Sequence, residues 1–453
     1  MKKALAIVLS LALAAGTFAS CGEKPAASTP AASTPAASTP VASTPAPAEN
    51  VEITWWAFPT FAKVDDTVGK YEQAVADAFM AKNPNIKVKV EMIDFKTGPD
   101  KIATAIQGNT TPDVLFDAPG RIIGYGKDGV LAPVTDMFTD EFKKDVNNEN
   151  LLKSCSDGKD YYMYPISSAP FTMGVNKTLL EKEGLMDMVK TDGERTFTTE
   201  DFTKLNAALA KKGHKNAIVF CSGQGGDQGT RAFIANLFGA TITNADLTAY
   251  TMDTPEGIKG MQYCVDAVKN KTLENGITYN GGEAIEQFVS GAVTSCTLWG
   301  PAQAAGNAAK LKENGIEVLA LPLPSEKGTP SLEYLVNGFC VFNNKDDAKI
   351  AASKELIKFI CDDKEQGPKN VKATGSFPVR SSFGNLYGDD ADMAFYASMI
   401  KNYGTYYNTI DGFASMRPAW FGSLQAALTG EKTAEAAMKD FTAKANASIK
   451  EAA

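Results

Sequence analysis

Histidine is nearly absent from this sequence. The one histidine, His214, lies in the polar stretch KKGHKN, which is typical of a surface position. Histidine-based acid–base chemistry or metal binding would have to depend on that single residue. We therefore predict no metal site and no cofactor.

Cysteine is also sparse, and its spacing contains no CxxC pair. The six cysteines that follow Cys21 are scattered, and several lie next to apolar residues. This distribution favours separate, buried thiols over a disulfide framework or a thiolate metal site. We expect reduced, buried side chains at Cys155, Cys221, Cys264, Cys296, Cys340 and Cys361.

Basic residues are outnumbered by acidic ones, 45 to 53, and the formal net charge is −8. A chain with this balance has no basic face for phosphates, so we predict no nucleic-acid partner. The G-x-S-x-G, H-E-x-x-H and P-loop motifs are missing from the sequence. The glycine-rich stretch 223–229 has Gln228 where a dinucleotide-binding fingerprint needs its third glycine, which excludes that interpretation.

No apolar run is long enough to span a bilayer. The run from Ala4 to Ala15 follows two lysines and falls short of the ~20 residues that a membrane helix needs, so residues 1–20 are typical of an export signal. The next residues, Phe18-Ala19-Ser20-Cys21, resemble a bacterial lipobox, which implies that Cys21 is lipidated. The alternative is an ordinary signal peptide cut near Ala19.

Residues 21–50 form a predicted linker that contains four pentads, three AASTP and one VASTP. Proline in every pentad favours extended polyproline-II segments of about 3.1 Å per residue, with nothing to bury. Such a linker would hold a folded domain up to roughly 80 Å from a membrane. We expect a lipid-anchored protein on the extracellular face of the cell membrane, in a Gram-positive-type envelope.

The remaining chain alternates strand and helix patterns. A β-rich run at 51–58, a helix ending at Asn83, a strand at 86–92 and a strand at 114–116 follow one another. The pattern returns with a capping box at Thr198 and Asp201 and a strand at 217–221. This alternation predicts α/β architecture with mainly parallel sheets. A length of 453 residues fits two domains or lobes.

A series of landmarks in this part of the chain resembles the maltose-binding-like (family 1) extracellular solute-binding proteins, which deliver sugars to ABC importers. These landmarks keep the family's order from one end of the domain to the other. They are AIQGNTTPDV at 105–114, GKDGVLAP at 126–133, DYYMYP at 160–165, Gly300-Pro301, LPLP at 321–324, FPVR at 377–380 and Arg417-Pro418.

The resemblance implies two lobes, each built on a doubly wound sheet and each discontinuous in the chain, joined by a hinge. The implied lobes are 51–166 with 339–383, and 167–338 with 384–453. It also implies a binding protein and not an enzyme: a monomer that captures a sugar, with an oligosaccharide as the expected ligand, between the lobes. Its partner would be the transmembrane subunits of an ABC permease, and lipid alone would attach it to the membrane.

Candidate ligand-binding residues follow the predicted strands of the first lobe. Trp56 and Phe58 share one face at the end of the first strand, where flat rings can stack on a sugar. Asp117 and Arg121 follow the strand at 114–116 and could receive sugar hydroxyls. The alternatives are core packing for the two aromatic residues and a surface ion pair for the two charged ones.

In the second lobe, Gln224 and Asp227 occupy a loop after a predicted strand and could reach the ligand. The resemblance implies a stacking tryptophan directly after Gly300-Pro301, but Ala302 stands there, so Trp299 either replaces it or is buried. Arg417 and Trp420, at the start of the closing helical segment, complete the predicted site.

Two other functions stay open on the sequence alone. The same fold could bind a polyamine, a phosphorylated compound or another small solute, although mixed arginine and aspartate without histidine favours a neutral polyol over a metal. A surface-tethered glycoside hydrolase would also use aromatic residues beside two carboxylates.

Overall fold

The computed structural model describes residues 50–95, 97–223 and 226–452. The predicted signal peptide, the lipidation site at Cys21, the linker up to residue 49 and Gln224 lie outside the described residues. Among the residues that are described, no helix is both long enough and apolar enough to cross a membrane.

The strands are short and alternate with helices along most of the chain. They are β1 (Val51–Ala57), β2 (Ile86–Met92), β3 (Val114–Asp117), β4 (Leu131–Ala132), β5 (Tyr164–Pro170), β6 (Thr172–Asn176), β7 (Ile218–Phe220), β8 (Glu274–Gly276), β9 (Ser295–Trp299), β10 (Val318–Leu321), β11 (Tyr334–Phe342) and β12 (Phe377–Pro378).

The helices pack against the sheets, and the last two elements of the chain are helices. They are α1 (Lys70–Lys82), α2 (Gly98–Gln107), α3 (Pro119–Lys127), α4 (Asp140–Asp145), α5 (Glu149–Ser154), α6 (Lys177–Glu183), α7 (Thr199–Lys211), α8 (Gln228–Phe238), α9 (Pro255–Lys269), α10 (Gly281–Val289), α11 (Pro301–Glu313), α12 (Asp347–Asp362), α13 (Gln366–Ala373), α14 (Ala391–Met399), α15 (Phe413–Leu428) and α16 (Ala434–Ala452).

The first lobe is built on a seven-stranded sheet in the order β12-β5-β11-β3-β1-β2, with β4 paired to β11. β1 is parallel to both β2 and β3, and Trp55 lies opposite Val114. β11 returns antiparallel to β3, with Gly338 opposite Asp117. The carboxyl ends of β1, β2 and β3 and the amino end of β11 therefore meet at one edge of this sheet.

The second lobe contains a three-stranded antiparallel sheet, β10-β6-β9, and a parallel pair, β7 and β8. Thr172 at the start of β6 pairs with Trp299 at the end of β9, so both residues lie at the same edge. The predicted capping box is confirmed at α7, where Thr198 and Asp201 each accept a hydrogen bond from the other's backbone N–H. This exchange satisfies two donors that a helix start leaves unpaired.

Three segments cross between the lobes, at 170–172, 332–334 and 402–412, and we call them the crossing segments. The backbone N–H of Phe171 donates to the carbonyl of Glu333 at 2.9 Å, and the N–H of Leu332 donates to the carbonyl of Asn402 at 2.8 Å. These bonds hold the three segments side by side. The predicted fold class, two α/β lobes joined by a hinge and each discontinuous in the chain, is confirmed. The prediction of mainly parallel, doubly wound sheets is wrong: β11 is antiparallel to β3, β4 and β5, and the three-stranded sheet of the second lobe is antiparallel. β5 leaves the first lobe and β11 re-enters it at the same edge, so the two strands run in opposite directions.

All six cysteines of the described region are buried, as predicted, and none is paired with another. Burial raises the pKa of each thiol, to about 12 for Cys155, Cys221 and Cys296. A thiol with such a pKa stays protonated and unreactive, so these side chains serve as small apolar residues of the core.

Candidate functional site

A cavity of about 1010 Å³, which we call the cleft, opens between the two lobes where the crossing segments meet. Its walls come from the start of α3 in the first lobe and from the starts of α8 and α15 in the second. The crossing segments form the remaining wall with Phe171, Glu333 and Tyr406. Clefts at strand ends and domain boundaries are the usual positions of ligand sites in α/β proteins.

The first-lobe wall carries an aspartate–arginine pair. Asp117 ends β3, and Arg121 lies one helical turn later on α3, so its Nε donates to Asp117 Oδ2 at 2.6 Å. The N–H of Ala118 donates to the other carboxylate oxygen at 2.7 Å. Burial raises the pKa of Asp117, although the hydrogen bond and charge of Arg121 oppose the shift. The Asp117 side chain is only 2% exposed, whereas that of Arg121 is 38% exposed.

The predicted aromatic residues of this lobe lie beneath that wall. Phe58 is buried, with the Arg121 guanidinium 4.9 Å from its ring centroid and the ring of Phe95 stacked on it at 5.0 Å. Trp56 is also nearly buried, and Lys101 lies 4.3 Å from its ring centroid. Neither ring lines the cleft in this structure: Phe58 packs under Arg121, and Trp56 packs under Lys101.

The second-lobe wall contains two arginines on one aspartate. Asp227 comes directly before α8 and pairs with Arg231 one turn later on that helix. Arg417 on α15 approaches the same carboxylate, and its Nε donates to Asp227 Oδ2 at 3.0 Å. Burial alone would raise the pKa of Asp227, but the two guanidinium groups outweigh it and hold that pKa below its ordinary value.

The two arginines of this wall differ in exposure. Arg231 is buried together with Asp227, and its Nε donates to the Tyr407 hydroxyl at 2.8 Å. Arg417 is 23% exposed and lines the cleft. The buried arginine therefore ties α8 to the third crossing segment, and the other one faces the cavity.

Glu333 lies in the second crossing segment, at the wall of the cleft. Its carboxylate accepts a hydrogen bond from the Tyr407 hydroxyl. Burial raises the pKa of Glu333 to about 7, although the charge of Arg231 opposes the shift. Protonation of such a carboxyl group adds an O–H donor to its acceptor oxygens, so its role in hydrogen bonding depends on pH near neutrality.

Aromatic rings of the cleft come from positions that sequence reasoning missed. Phe171 and Phe413 are partly exposed and line the cavity. The guanidinium of Arg417 lies 5.7 Å from the Phe413 ring centroid. Tyr334 and Tyr406 form a more buried pair, with ring centroids 5.2 Å apart. The cluster of tyrosines in NYGTYYNTIDGF, at 402–413, was the available sequence signal for this wall.

Two predicted tryptophans are core residues behind the second lobe's wall. Trp420 is fully buried, with its Nε1 donating to Thr230 Oγ1 at 3.1 Å and its ring edge-on to Phe441. Trp299 is buried edge-on to Phe288, in the wall of a separate cavity on the flank of this lobe. Both rings are buried, and neither lines the cleft. We leave both out of the proposed site.

Of the predicted residues, the structure thus places Arg121, Asp227 and Arg417 at the cleft, with Asp117 directly behind Arg121. Among the described residues, no group of three or more histidine, cysteine, aspartate or glutamate side chains is arranged to hold a metal ion. The cleft therefore provides guanidinium and carboxylate groups for hydrogen bonding, next to the faces of aromatic rings.

The model of the bacterial extracellular solute-binding protein family matches residues 63–367 of this chain. Among curated proteins, relatives from Brucella abortus (strain 2308) and Brucella suis biovar 1 (strain 1330), whose names describe only a binding function, are each 23% identical over 398 residues. That match covers 86% of this chain and 92% of each relative.

Solved structures share the fold at low sequence identity. The cyclic α-maltosyl-1,6-maltose binding protein from Arthrobacter globiformis has a TM-score of 0.70 at 20% identity, covering 88% of this chain and 99% of that one. An ABC transporter solute-binding protein from Thermotoga lettingae TMO, bound with α-D-tagatose, has a TM-score of 0.69 at 19% identity, with coverage of 88% and 99%. With its two lobes, its cleft and the matched family model, this chain belongs to the bacterial extracellular solute-binding proteins.

Proposed function

We propose that this protein captures a sugar, most suitably an oligosaccharide, in the cleft and delivers it to an ABC permease. The observation that carries the proposal is the cleft itself, in which guanidinium groups from both lobes and partly exposed phenyl rings line one cavity. Planar polar groups suit paired sugar hydroxyls, and aromatic faces suit the C–H surfaces of sugar rings. The names of the structural relatives, which include tagatose and maltosyl-maltose binding, support the same ligand class.

Ligand capture would be coupled to movement of the lobes. A ligand that touches Arg121 on one lobe and Arg417 on the other binds the closed arrangement more tightly than the open one, and this difference in affinity drives closure. The crossing segments would supply the hinge, because they are the connections that run between the lobes. A permease could then distinguish the loaded protein by its changed outer surface.

We propose binding without catalysis. Glycoside hydrolysis needs two carboxyl groups on opposite sides of the scissile bond. Asp117 is held by Arg121 behind the cleft wall, Asp227 is held by Arg231 and Arg417, and Glu333 is bound by the Tyr407 hydroxyl. These ion pairs suit ligand positioning better than proton transfer. Incubation with a bound oligosaccharide followed by chromatography tests this point: the sugar should be recovered intact, and cleaved products would support the hydrolase instead.

The alternative ligands are other small solutes, such as a polyamine or a phosphorylated compound. A thermal-shift screen of the full chain against neutral sugars, acidic sugars, polyamines and sugar phosphates separates these classes. The proposed function predicts stabilisation by at least one saccharide and none by polyamines. Stabilisation by a polyamine alone would refute it.

We further propose that the protein is monomeric and is anchored to the extracellular face of the membrane through lipidated Cys21. The support is the lipobox-like sequence before Cys21 and the proline-rich linker after it. Cys21→Ser should release the protein from the membrane fraction into the medium, with Cys155→Ser as the control that stays membrane-bound. Membrane retention of the Cys21 variant would reject the anchor.

A further inference from the structure

The sheet edge that faces the cleft continues outward past the cleft wall of the first lobe. From the crossing segments outward, the strands follow the order β11, β3, β1 and β2, and the last three are parallel to one another. The residues that follow these three strands therefore lie along one edge. Arg121 comes after β3, Phe58 after β1 and Phe95 after β2. Neighbouring strands are about 4.8 Å apart, so the end of β2 lies about 10 Å beyond the end of β3.

Phe95, at the outer end of this edge, has an exposed ring. Among the described residues, three large apolar side chains are exposed, those of Val64, Val68 and Phe95, and Phe95 is the only aromatic one. The residue is 59% exposed, and its ring stacks on Phe58 with the ring centroids 5.0 Å apart and the planes 10° from parallel. Phe58 covers one face of the Phe95 ring, so the opposite face is the one open to a ligand.

The loop that carries Phe95 is fixed by hydrogen bonds and by close packing. The backbone N–H groups of Thr97 and Gly98 donate to Oδ1 and to the carbonyl of Asp94, at 2.8 and 2.9 Å. A Cβ added at Gly98 would lie 2.7 Å from Cε1 of the Phe58 ring, so the backbone here packs against the same ring as Phe95 does. A ring held in this way needs little further ordering when a ligand covers it.

The Phe95 ring is continuous with the cleft wall. Pro99, which directly follows Gly98, lines the cleft, and so does Arg121. The Arg121 guanidinium lies 4.9 Å from the Phe58 ring centroid, so Phe58 contacts both the cleft-lining arginine and Phe95. A ligand that lies at Arg121 and extends away from the crossing segments therefore passes over Phe95. A distance of about 10 Å exceeds one sugar ring, so only an oligosaccharide can cover both residues.

We infer that Phe95 is the outer stacking residue of the first lobe, and that the ligand is an oligosaccharide whose chain runs outward from Arg121 along this sheet edge. The inference rests on the proposed function, since it specifies the length and the direction of the bound sugar. An aromatic face binds the C–H surface of a sugar unit without using a hydrogen-bond donor of the protein. Phe95 therefore adds affinity only for a ligand long enough to reach it.

Sugars that differ only in chain length test the inference on the full chain. Glucose, maltose, maltotriose and maltotetraose are compared by calorimetry, and cellobiose, xylobiose and mannobiose are each compared with their monosaccharide and their longer homologues. In the series that binds most tightly, we expect the affinity to rise by about two- to tenfold at the chain length that first covers Phe95.

Substitutions at Phe95 should act on the long sugars alone. Phe95→Ala should remove this rise and leave the affinities of the shorter sugars unchanged, because it alters no residue that lines the cleft. Phe95→Tyr keeps an aromatic face and should keep the rise. Phe238→Ala, at a partly exposed phenyl ring that ends α8 outside the cleft wall, is the matched control and should bind every sugar as the parent does.

A fluorescence measurement locates the long sugar independently of its affinity. The four tryptophans of the chain are all buried, and Phe95 is 59% exposed, so Phe95→Trp adds an indole that acrylamide can reach. Quenching of this indole by acrylamide should decrease when the longest sugar saturates the variant. It should stay unchanged when the shortest sugar that binds does so.

The outcomes separate this inference from sugar capture itself. An equal loss of affinity for short and long sugars in Phe95→Ala, a rise that survives that substitution, or quenching that no oligosaccharide changes would each overturn the role of Phe95 and leave sugar capture intact. Binding of monosaccharides alone would overturn it in the same way. Failure of every saccharide to bind would overturn both proposals together.

Discussion

Both walls of the cleft contain an aspartate–arginine pair one helical turn apart, but the arginine has a different position in each wall. Each lobe has an aspartate followed four residues later by an arginine, Asp117 with Arg121 and Asp227 with Arg231. In the first lobe the arginine reaches the cleft. In the second lobe the corresponding arginine is buried against Tyr407, and Arg417 from a distant helix takes the exposed position.

In the second lobe, two different arginines therefore have two different tasks. Arg231 connects α8 to the third crossing segment, and it therefore supports the geometry of the hinge. Arg417 lines the cleft while it is bound to Asp227. In the first lobe, the connection to the third crossing segment is made by a residue outside the Asp117–Arg121 pair: Lys127 on α3 donates to the carbonyl of Thr409 at 3.0 Å and pairs with Asp411. The second wall should consequently be more sensitive to the loss of its aspartate than the first.

Asp227→Asn, compared with Asp117→Asn, tests this difference between the walls, and it should give the largest change in stability. The substitution leaves Arg231 buried with its main counter-charge removed, which should lower the free energy of unfolding by about 3 to 5 kcal/mol. Asp117→Asn leaves a partly exposed arginine that water can solvate, so the loss should be about 1 kcal/mol or less. Urea unfolding of both variants gives the comparison, and equal losses would refute the division of tasks.

Trp420→Phe tests whether the buried ring behind the second wall is structural. It removes the hydrogen bond from Nε1 to Thr230 and part of a packed core ring, which should cost about 2 kcal/mol in the free energy of unfolding. Phe95→Ala, at a ring that is 59% exposed on the first lobe, should cost less than about 1 kcal/mol. A large loss of ligand affinity for Trp420→Phe without loss of stability would place this ring in the site after all.

The pH dependence of stability tests the contribution of Glu333, which lies in the second crossing segment. Because burial raises the pKa of Glu333 from 4.5 to about 7, the folded chain keeps a proton that the unfolded chain has lost. Stability should therefore fall as pH rises from about 4.5 to 7, by at most about 1.4 kcal/mol per pH unit from this group. Urea unfolding at a series of pH values should show a smaller decrease in the free energy of unfolding for Glu333→Gln than for the parent protein.

Glu72, on α1 of the first lobe, should also make the protein less stable as pH rises. It serves as the comparison for Glu333 because it lies outside the cleft. Its buried carboxylate has no hydrogen-bond partner among the described residues, and burial raises its pKa. Glu72→Gln should therefore also flatten the decline, but it should leave ligand affinity unchanged at every pH. An unaltered slope in Glu333→Gln would show that this carboxyl titrates normally.

The smallest expected effect concerns the exposed ring of the second wall. Phe413→Ala should weaken saccharide binding by about 0.5 to 1.5 kcal/mol, the contribution of one stacked ring, because the ring lines the cleft and is partly exposed. Calorimetry measures the loss. Tyr387→Ala, at an aromatic residue outside the cleft wall, is the control that should bind normally. Unchanged affinity for Phe413→Ala would remove that ring from the site.

Much of the fold was predictable, since period-two and helical patterns are local. The strands at 51–58, 86–92 and 114–116 and the capping box at Thr198 follow from alternation and from side-chain donors a few residues apart. The order of landmarks along the chain predicted the two lobes, because it resembles that of a family with this architecture.

The site was predictable only where a residue directly follows a strand or opens a helix. Asp227 lines the cleft and Asp117 lies behind Arg121, and both follow or precede an element in this way; their contact with a ligand stays a prediction. The burial of Trp420 and Trp299 could not be predicted, because an aromatic residue next to a motif fits a core and a pocket equally well. Glu333 and Phe171 were missed because crossing segments have no periodic pattern, and only tertiary contacts make them part of the wall.

The most direct measurement is small-angle X-ray scattering of the full chain with and without the saccharide that calorimetry identifies as its ligand. If the lobes close on a sugar held between Arg121 and Arg417, the radius of gyration falls on saturation, and it stays unchanged when both arginines are replaced by glutamine. A profile that is identical with and without a tightly bound saccharide would contradict capture by closure of the cleft.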